Sequence, residues 1–394
     1  MGKGMAGRFD AVVIGAGAAG LMAAATAGAR GRRVALIDHG PAGAKILISG
    51  GGRCNFTNTG TEPSRFLSGN PRFCVSALRR YTAADFVGLV EKHGIAYHEK
   101  TLGQLFCDGS ARQIVAMLVE ECAAGDVAMH LNTRVGEVSR GDMFRVETEA
   151  GVFEAPALVL ATGGLSIPKL GATGFSYDMA RRFGLPVVPP RPGLVPLTFT
   201  GAMLELMQPL SGVALPVVAR AGKVEFHEAL LFTHRGLSGP AVLQASSYLG
   251  AGDGLRVDLV PGQDMAGGLL EAKRRRPRVE VRTALAEWLP QRLAGAMAEM
   301  VPGGTLAGQT DKALAALGAR LNGWELRPAG SEGYAKAEVT LGGIDTRALS
   351  SQTMEAQEVP GLFAVGEAVD VTGWLGGYNF QWAWSSGWCA GQAV

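Results

Sequence analysis

The residues whose types and spacing speak most directly of chemistry are glycines. Gly15-Ala16-Gly17-Ala18-Ala19-Gly20 has the spacing G-x-G-x-x-G. Its first glycine permits a tight turn, its second lets backbone N–H groups approach a pyrophosphate, and its third lets a helix pack closely on a strand. Phosphates so placed lie at a helix N-terminus, where unpaired N–H groups and the helix dipole favour an anion. Asp38 follows Gly20 by 18 residues, with His39 next to it. A carboxylate there accepts a hydrogen bond from a ribose 2′-OH and repels a 2′-phosphate. An adenine dinucleotide held by Gly15, Gly17, Ala18, Ala19, Gly20, Asp38 and His39 is therefore expected. The fingerprint alone does not separate FAD from NAD.

The elements that must position these residues are also legible. Residues 9–14 form a short apolar run, 18–30 are rich in helix formers, and 33–37 form a second apolar run ending at Asp38. Strand, glycine turn, helix, strand and acid is the context that gives the motif its weight. Directly afterwards comes Lys45-Ile46-Leu47-Ile48-Ser49-Gly50-Gly51-Gly52-Arg53-Cys54-Asn55-Phe56-Thr57-Asn58. Three adjacent glycines suit neither helix nor strand, so a loop is predicted whose backbone passes close to something.

This run resembles the BaiN/YhiN-like family of bacterial flavoproteins, also called the aminoacetone oxidase family of FAD-binding enzymes. Ala161-Thr162-Gly163-Gly164, Leu231-Phe232-Thr233-His234-Arg235-Gly236-Leu237-Ser238-Gly239-Pro240, Val339-Thr340-Leu341-Gly342-Gly343 and the segment 362–381 match in the same order. The resemblance implies an α/β fold: a Rossmann-type FAD-binding domain of the glutathione-reductase type, built from both chain ends, with a β-rich plus helical inserted domain. It also implies that Ala161, Thr162 and Gly163 lie beside the adenosine half of FAD. Gly366, Glu367 and Asp370 would approach the pyrophosphate and ribitol, and Gly376, Gly377, Tyr378 and Asn379 the isoalloxazine. Lys45, Ser49, Gly50, Gly51, Arg53, Cys54 and Asn55 would line the other side of the flavin, and the backbone at Val135 would meet adenine.

Residue patterns agree where they speak. Residues 362–365 read as a buried parallel strand broken at its carboxyl end by Gly366-Glu367, where open α/β sheets bind ligands. Residues 380–390 read as a helix whose N-terminus would favour an anionic reduced flavin. Five prolines between 186 and 196 place a domain crossing there, and Pro328, Gly330 and Gly333 a second one. The expected division is 1–190 and 334–394 for the FAD-binding domain and 191–333 for the insert. The insert begins with alternating strands at 224–227 and 255–259 and continues as a helix through Leu285, Trp288, Leu289, Leu293 and Met297. The chain ends at Val394 inside a helical pattern, which is what a few missing terminal residues would give.

Composition excludes other classes. With 394 residues, 47% apolar and 18% charged, the chain is neither a small disulfide scaffold nor disordered. A net charge of +2 gives no field that would call for nucleic acid or a membrane surface. Cys54, Cys74, Cys107, Cys122 and Cys389 show no C-x-x-C pair or metal spacing, as expected in a reducing, cytoplasmic setting without a bound metal. The uncharged stretch 11–29 is explained by its glycine fingerprint and not by a membrane anchor. Lys273-Arg274-Arg275-Arg276-Pro277-Arg278 could grip RNA or a 2′-phosphate, but such a run is usually a solvated face. A small-molecule substrate, with no nucleic acid and no membrane partner, is expected.

A flavin performs hydride transfer while the protein supplies position, electrostatics and exclusion of water. The sequence holds no second strand–G-x-G-x-x-G–helix unit, so NAD(P)H would dock transiently as reductant. The first reading is an FAD-dependent reductase of an unsaturated or carbonyl-conjugated small molecule using NAD(P)H. The alternative is an oxidase of a small amine such as aminoacetone, producing hydrogen peroxide. An RNA-associated or purely FAD-binding protein is a third. His234 is the candidate proton donor or acceptor, since an imidazole near neutrality suits protonation of a carbon receiving hydride. It could equally hydrogen-bond backbone at a domain junction. Cys54 and Tyr378 are expected to pack and not to react, and Trp374 could wall the substrate pocket.

Overall fold

Ala11–Ile14, Val34–Ile37 and Ala157–Leu160 are short aliphatic runs in which every residue is buried. Strands covered on both faces read this way, and they pair in parallel. The computed structural model, which describes residues 5–394, joins them in a five-stranded sheet ordered Leu362–Ala364, Ala157–Leu160, Ala11–Ile14, Val34–Ile37, Ala128–His130. All four pairings are parallel. From Ala11–Ile14 the chain builds first to one side and then to the other. The switch point therefore falls between Ala11–Ile14 and Ala157–Leu160, and it opens a crevice at their carboxyl ends. This is the Rossmann-type α/β fold that the glycine fingerprint and the family resemblance predict.

The helix after the glycine turn, Ala18–Ala29, is almost entirely small and buried. It packs on the C-terminal helix Tyr378–Ala393. A Cβ at Gly387 would fall 2.4 Å from the Ala19 carbonyl oxygen, and one at Gly391 2.6 Å from that of Ala23. The two backbones thus approach closely because neither face carries bulk. Around this core lie a four-stranded sheet (Met5–Arg8, Gly151–Ala155, Phe144–Thr148, Val135–Arg140) and a three-stranded one (Asn55–Asn58, Gln104–Cys107, Tyr97–Glu99). Phe66–Leu67 pairs antiparallel with Thr372–Gly373.

The chain divides into two units, at Arg191/Pro192 and at Glu338/Val339, with both chain ends in the first. The second unit holds a seven-stranded sheet ordered Trp324–Leu326, Leu255–Asp258, Ala214–Ala221, Val224–Thr233, Gly236–Ser238, Leu197–Thr198, Gly330–Ser331. Helices Met265–Arg275 and Asp311–Leu321 pack together beside it in the same unit.

One local expectation needs correction. The periodic apolar run 285–297 is two helices, Val281–Leu285 and Gln291–Ala298, because Pro290 has no N–H to continue the first and caps the second. The proline-rich stretch, where the domain crossing is expected, runs extended up to the unit boundary: Val187–Gly193 pairs with Val339–Ile344. That ribbon has only two strands, so a strand that cannot donate at every position is tolerated. Among the described residues no helix is long and apolar enough to cross a membrane.

Candidate cofactor site

Three glycines of the fingerprint do different things. A Cβ on Gly15, whose φ is +110°, would lie 2.4 Å from the Ala161 carbonyl oxygen, and one on Gly20 1.8 Å from the Gly15 carbonyl oxygen. Both are closed by backbone. A Cβ on Gly17 would meet nothing within 4 Å. Gly17 is also the N-cap of the Ala18–Ala29 helix and brings no side chain to its first N–H groups. The arrangement leaves an open, donor-rich cradle between two packed positions, which fits a pyrophosphate. Asp38 borders it: one carboxylate oxygen accepts from Ala16 N at 2.6 Å and the other from Gly40 N at 2.8 Å. This acid therefore shapes the glycine turn from the neighbouring strand, and its side chain keeps 16% exposure. His39 Nδ1 lies 3.4 Å from it. Thr133 N donates to the Asp38 carbonyl at 2.8 Å, which brings Val135, two residues on, to the same end of the crevice.

Across the switch point Ala161 N donates to Ile14 O, Thr162 Oγ1 pairs with Ser176 Oγ at 2.6 Å, and Gly163 has φ +74° with open space at its Cβ position. Beyond them is a polar knot tying four segments. Lys45 Nζ donates to Glu367 Oε2 at 2.5 Å and to Ser166 Oγ at 2.6 Å. Glu367 Oε1 accepts from Ser166 Oγ and from Thr340 N, each at 2.9 Å. Thr340 Oγ1 in turn accepts from Leu165 N at 2.8 Å. Lys45 has three donors and two are used here.

The Gly376-Gly377 turn is braced from the triple-glycine segment. Asn58 Nδ2 donates to Gly376 O at 2.8 Å. The Asn55 amide, oriented so that both ends are satisfied, accepts from Gly377 N at 3.3 Å. Thr57 Oγ1 donates to Gln381 Oε1 at 2.6 Å, and Trp384 Nε1 to Phe56 O at 2.8 Å. Asn379 closes the turn by accepting from Gly373 N and donating to Gly373 O. The two most distinctive motifs of the sequence therefore hold each other's backbone. Tyr378 is buried, edge-on to Phe66. Gly366 N donates to Ser386 Oγ, and Gly366 O accepts from Trp382 Nε1.

Gly50, Gly51 and Gly52 all have positive φ, a run only glycine adopts without strain. Gly51 and Arg53 are exposed. Ser49 Oγ donates to Ile46 O, and Cys54 is fully buried, its thiol pushed up to about 12 by that burial. A thiol so far from ionising is a poor nucleophile, in keeping with packing. Asp370 is buried and accepts from Gly69 N at 2.9 Å; burial, opposed by that bond and aided by Asp345, raises its carboxyl above the usual range. His234 is in the second unit, exposed in the two-residue turn between Val224–Thr233 and Gly236–Ser238, and its carbonyl accepts from Gln208 Nε2. Sequence reasoning missed Ser166, Thr340, Asn58 and Gln381. Thr340 and Asn58 lay inside motifs already singled out, whereas Ser166 carries no signal of its own.

A model described as the HI0933-like protein Rossmann domain matches residues 9–393. The chain belongs to that family. It is 53% identical over 98% of both chains to a ribosomal RNA dihydrouridine synthase of Escherichia coli, and 45% identical over 97% of this chain and 98% of the other to one of Haemophilus influenzae. A 3-dehydro-bile acid delta(4,6)-reductase of Clostridium scindens is 28% identical over 97% of this chain and 98% of its own. In fold the chain is similar to a quinol–fumarate reductase, with a TM-score of 0.51 at 17% identity over 98% of this chain and 70% of that one. It is an FAD-dependent oxidoreductase by family, and the open cradle at Gly17 suits that cofactor.

Proposed function

We propose that this protein reduces a uracil base of ribosomal RNA to dihydrouracil, with NAD(P)H as the source of electrons. The observation that carries this is the likeness, over 98% of both chains, to the Escherichia coli relative of that name. The chemistry agrees with the reductase reading of the sequence. The C5=C6 bond of uracil is conjugated to the C4 carbonyl, so hydride adds at C6 and a proton at C5. The balance is uridine plus NAD(P)H plus one proton giving dihydrouridine plus NAD(P)+. FAD, when bound, supplies the hydride-carrying chemistry. The chain's own residues bind and orient: the Gly17 cradle for the pyrophosphate, the Lys45–Glu367–Ser166 knot and the braced Gly376-Gly377 turn for the remainder. An RNA substrate departs from the small molecule without nucleic acid expected from composition. A net charge of +2 averages over the whole surface and is silent about a local contact.

The test has two stages. The holoprotein's flavin absorbance is expected to bleach within seconds of anaerobic NADH or NADPH addition. Ribosomal RNA from cells lacking the gene is then expected to gain one dihydrouridine, read as two mass units on a uridine, when incubated with protein and nucleotide. Bleaching without any gain would overturn the RNA substrate. A flavin that stays oxidised with both nucleotides, together with peroxide release from aminoacetone, would replace the reading with the oxidase.

His234 is our candidate donor of the C5 proton, on the strength of its imidazole and its exposed turn. His234→Ala is expected to lower the rate of dihydrouridine formation by roughly 10²-fold or more while FAD stays bound. Full turnover in that variant removes His234 from the mechanism.

A further inference from the structure

The proposed substrate must present a base, and the surface around the braced turn has the means to receive one. Trp374 immediately precedes Leu375-Gly376-Gly377, is half-buried, and lies under the Arg65 guanidinium, whose Cζ is 4.4 Å from the ring centroid. Arg65 keeps 38% exposure. The pair is rigidly mounted. Trp374 N donates to Arg65 O at 3.0 Å, Asn379 Nδ2 donates to Trp374 O at 3.2 Å, and Thr372 and Gly373 pair with Leu67 and Phe66. Arg65 Nε also donates to Glu62 at 2.9 Å, so the guanidinium plane is held over the indole. Close by in the same unit, Asn58 bonds both Gly376 O and Leu102 O, which ties this platform to the hairpin of Tyr97–Glu99 and Gln104–Cys107. That hairpin carries Lys100, exposed and over the Phe106 ring at 5.4 Å, while a Cβ on Gly50 of the triple-glycine loop would meet the same ring at 2.8 Å. Among the described residues no carboxylate forms an ion pair with Lys100. The acids nearby are otherwise engaged: Glu62 with Arg65, Glu99 with Gly103 N, Asp108 with His98.

An aromatic ring with a guanidinium over it, on a turn hydrogen-bonded through Asn58 to the hairpin that carries an exposed lysine, is a combination suited to single-stranded RNA, stacking bases while a cation meets the phosphates. Resting on the dihydrouridine reading, we propose that the Trp374–Arg65 stack is the platform on which a base of single-stranded RNA is received at this site, with Lys100 contacting its backbone. The exposed run Arg274 to Arg278 of the second unit is the rival surface. Three of its neighbourhood charges are already answered, Lys273 by Asp311, Arg275 by Glu271 and Arg276 by Glu287.

The test measures affinity of the FAD-loaded protein for a uridine-containing single-stranded RNA of about twelve nucleotides, as a function of salt. Trp374→Ala is expected to weaken binding about tenfold or more and Trp374→Phe to restore most of it, because the stack needs a ring and not an indole. Lys100→Gln is expected to weaken binding and to lower the slope of log K against log salt by about 0.7, the signature of one lost phosphate contact on a single strand. FAD content and thermal midpoint monitor folding; should Trp374→Ala lose FAD, the Lys100→Gln slope still decides. Wild-type affinity in all three variants, or loss of binding only in Arg274→Gln/Arg278→Gln, overturns the platform while leaving the dihydrouridine reading intact. A wild-type protein that neither binds this RNA nor modifies ribosomal RNA overturns both.

Discussion

Gly20→Ala protein is expected to emerge from purification without flavin. Alanine normally stabilises a helix by about 1 kcal/mol over glycine, so propensity alone would favour the change. Here the new Cβ would stand 1.8 Å from the Gly15 carbonyl oxygen and 3.1 Å from the Ala161 side chain. No rotamer relieves a clash with a backbone oxygen, so the helix must move off the strand and carry its N-terminus away from the cradle. Gly17→Ala is the informative companion. Its φ of −79° suits alanine and its Cβ would meet no protein atom within 4 Å. Alanine is a poorer N-cap than glycine, so the apoprotein should lose only about 1 kcal/mol of stability. The methyl nonetheless occupies the space through which a pyrophosphate approaches the N–H groups, so FAD affinity should fall at least tenfold, about 1.4 kcal/mol. Thermal midpoints of the apoproteins and FAD titration by fluorescence quenching check both. Full FAD binding by Gly17→Ala would remove the pyrophosphate from that cradle.

Lys45→Met is the second variant for which a large effect is expected. It deprives Glu367, 19% exposed, of the ammonium on Oε2, and Ser166 of its donor. A partly buried carboxylate left short of a partner costs roughly 2 kcal/mol. For a unit of this size that lowers the thermal midpoint by roughly 4–8 °C. Because Glu367 also holds Thr340 N and Ser166 Oγ, its displacement loosens the strand 339–344 and the loop after Ala157–Leu160 together. The double variant Lys45→Met/Glu367→Leu should recover part of the loss, since removing both charges leaves none unpaired. Equal midpoints for the single and double variants would show that the ion pair does not organise the site.

The glycine fingerprint, the acid at the next strand's end and the buried strand at 362–364 were readable because each is local: a φ, a periodicity or a spacing within one stretch of chain forces it. From these the sequence by itself determined a Rossmann-type dinucleotide-binding fold, while FAD as the dinucleotide and a domain made from both chain ends were what the family resemblance implied. The helix break at Pro290 was local too, and a reading by apolar period alone passed over it. Other features had no local signature. Ser166 and Lys45 are separated by 121 residues, and Asn58 and Gly376 by 318. Asn55 and Asn379, whose amides look free to meet a cofactor, are engaged with Gly377 and Gly373. Such assignments depend on which backbone groups are left without partners once the strands have paired. The same holds for Trp374, whose neighbour Arg65 is brought to it by the pairing of Phe66–Leu67 with Thr372–Gly373. Sequence thus determined what kind of ligand the crevice is built for, because conformational restriction is written residue by residue. Tertiary structure alone decided which side chains face that ligand and which brace the turns around it, because hydrogen-bond partners are assigned by proximity across the whole chain.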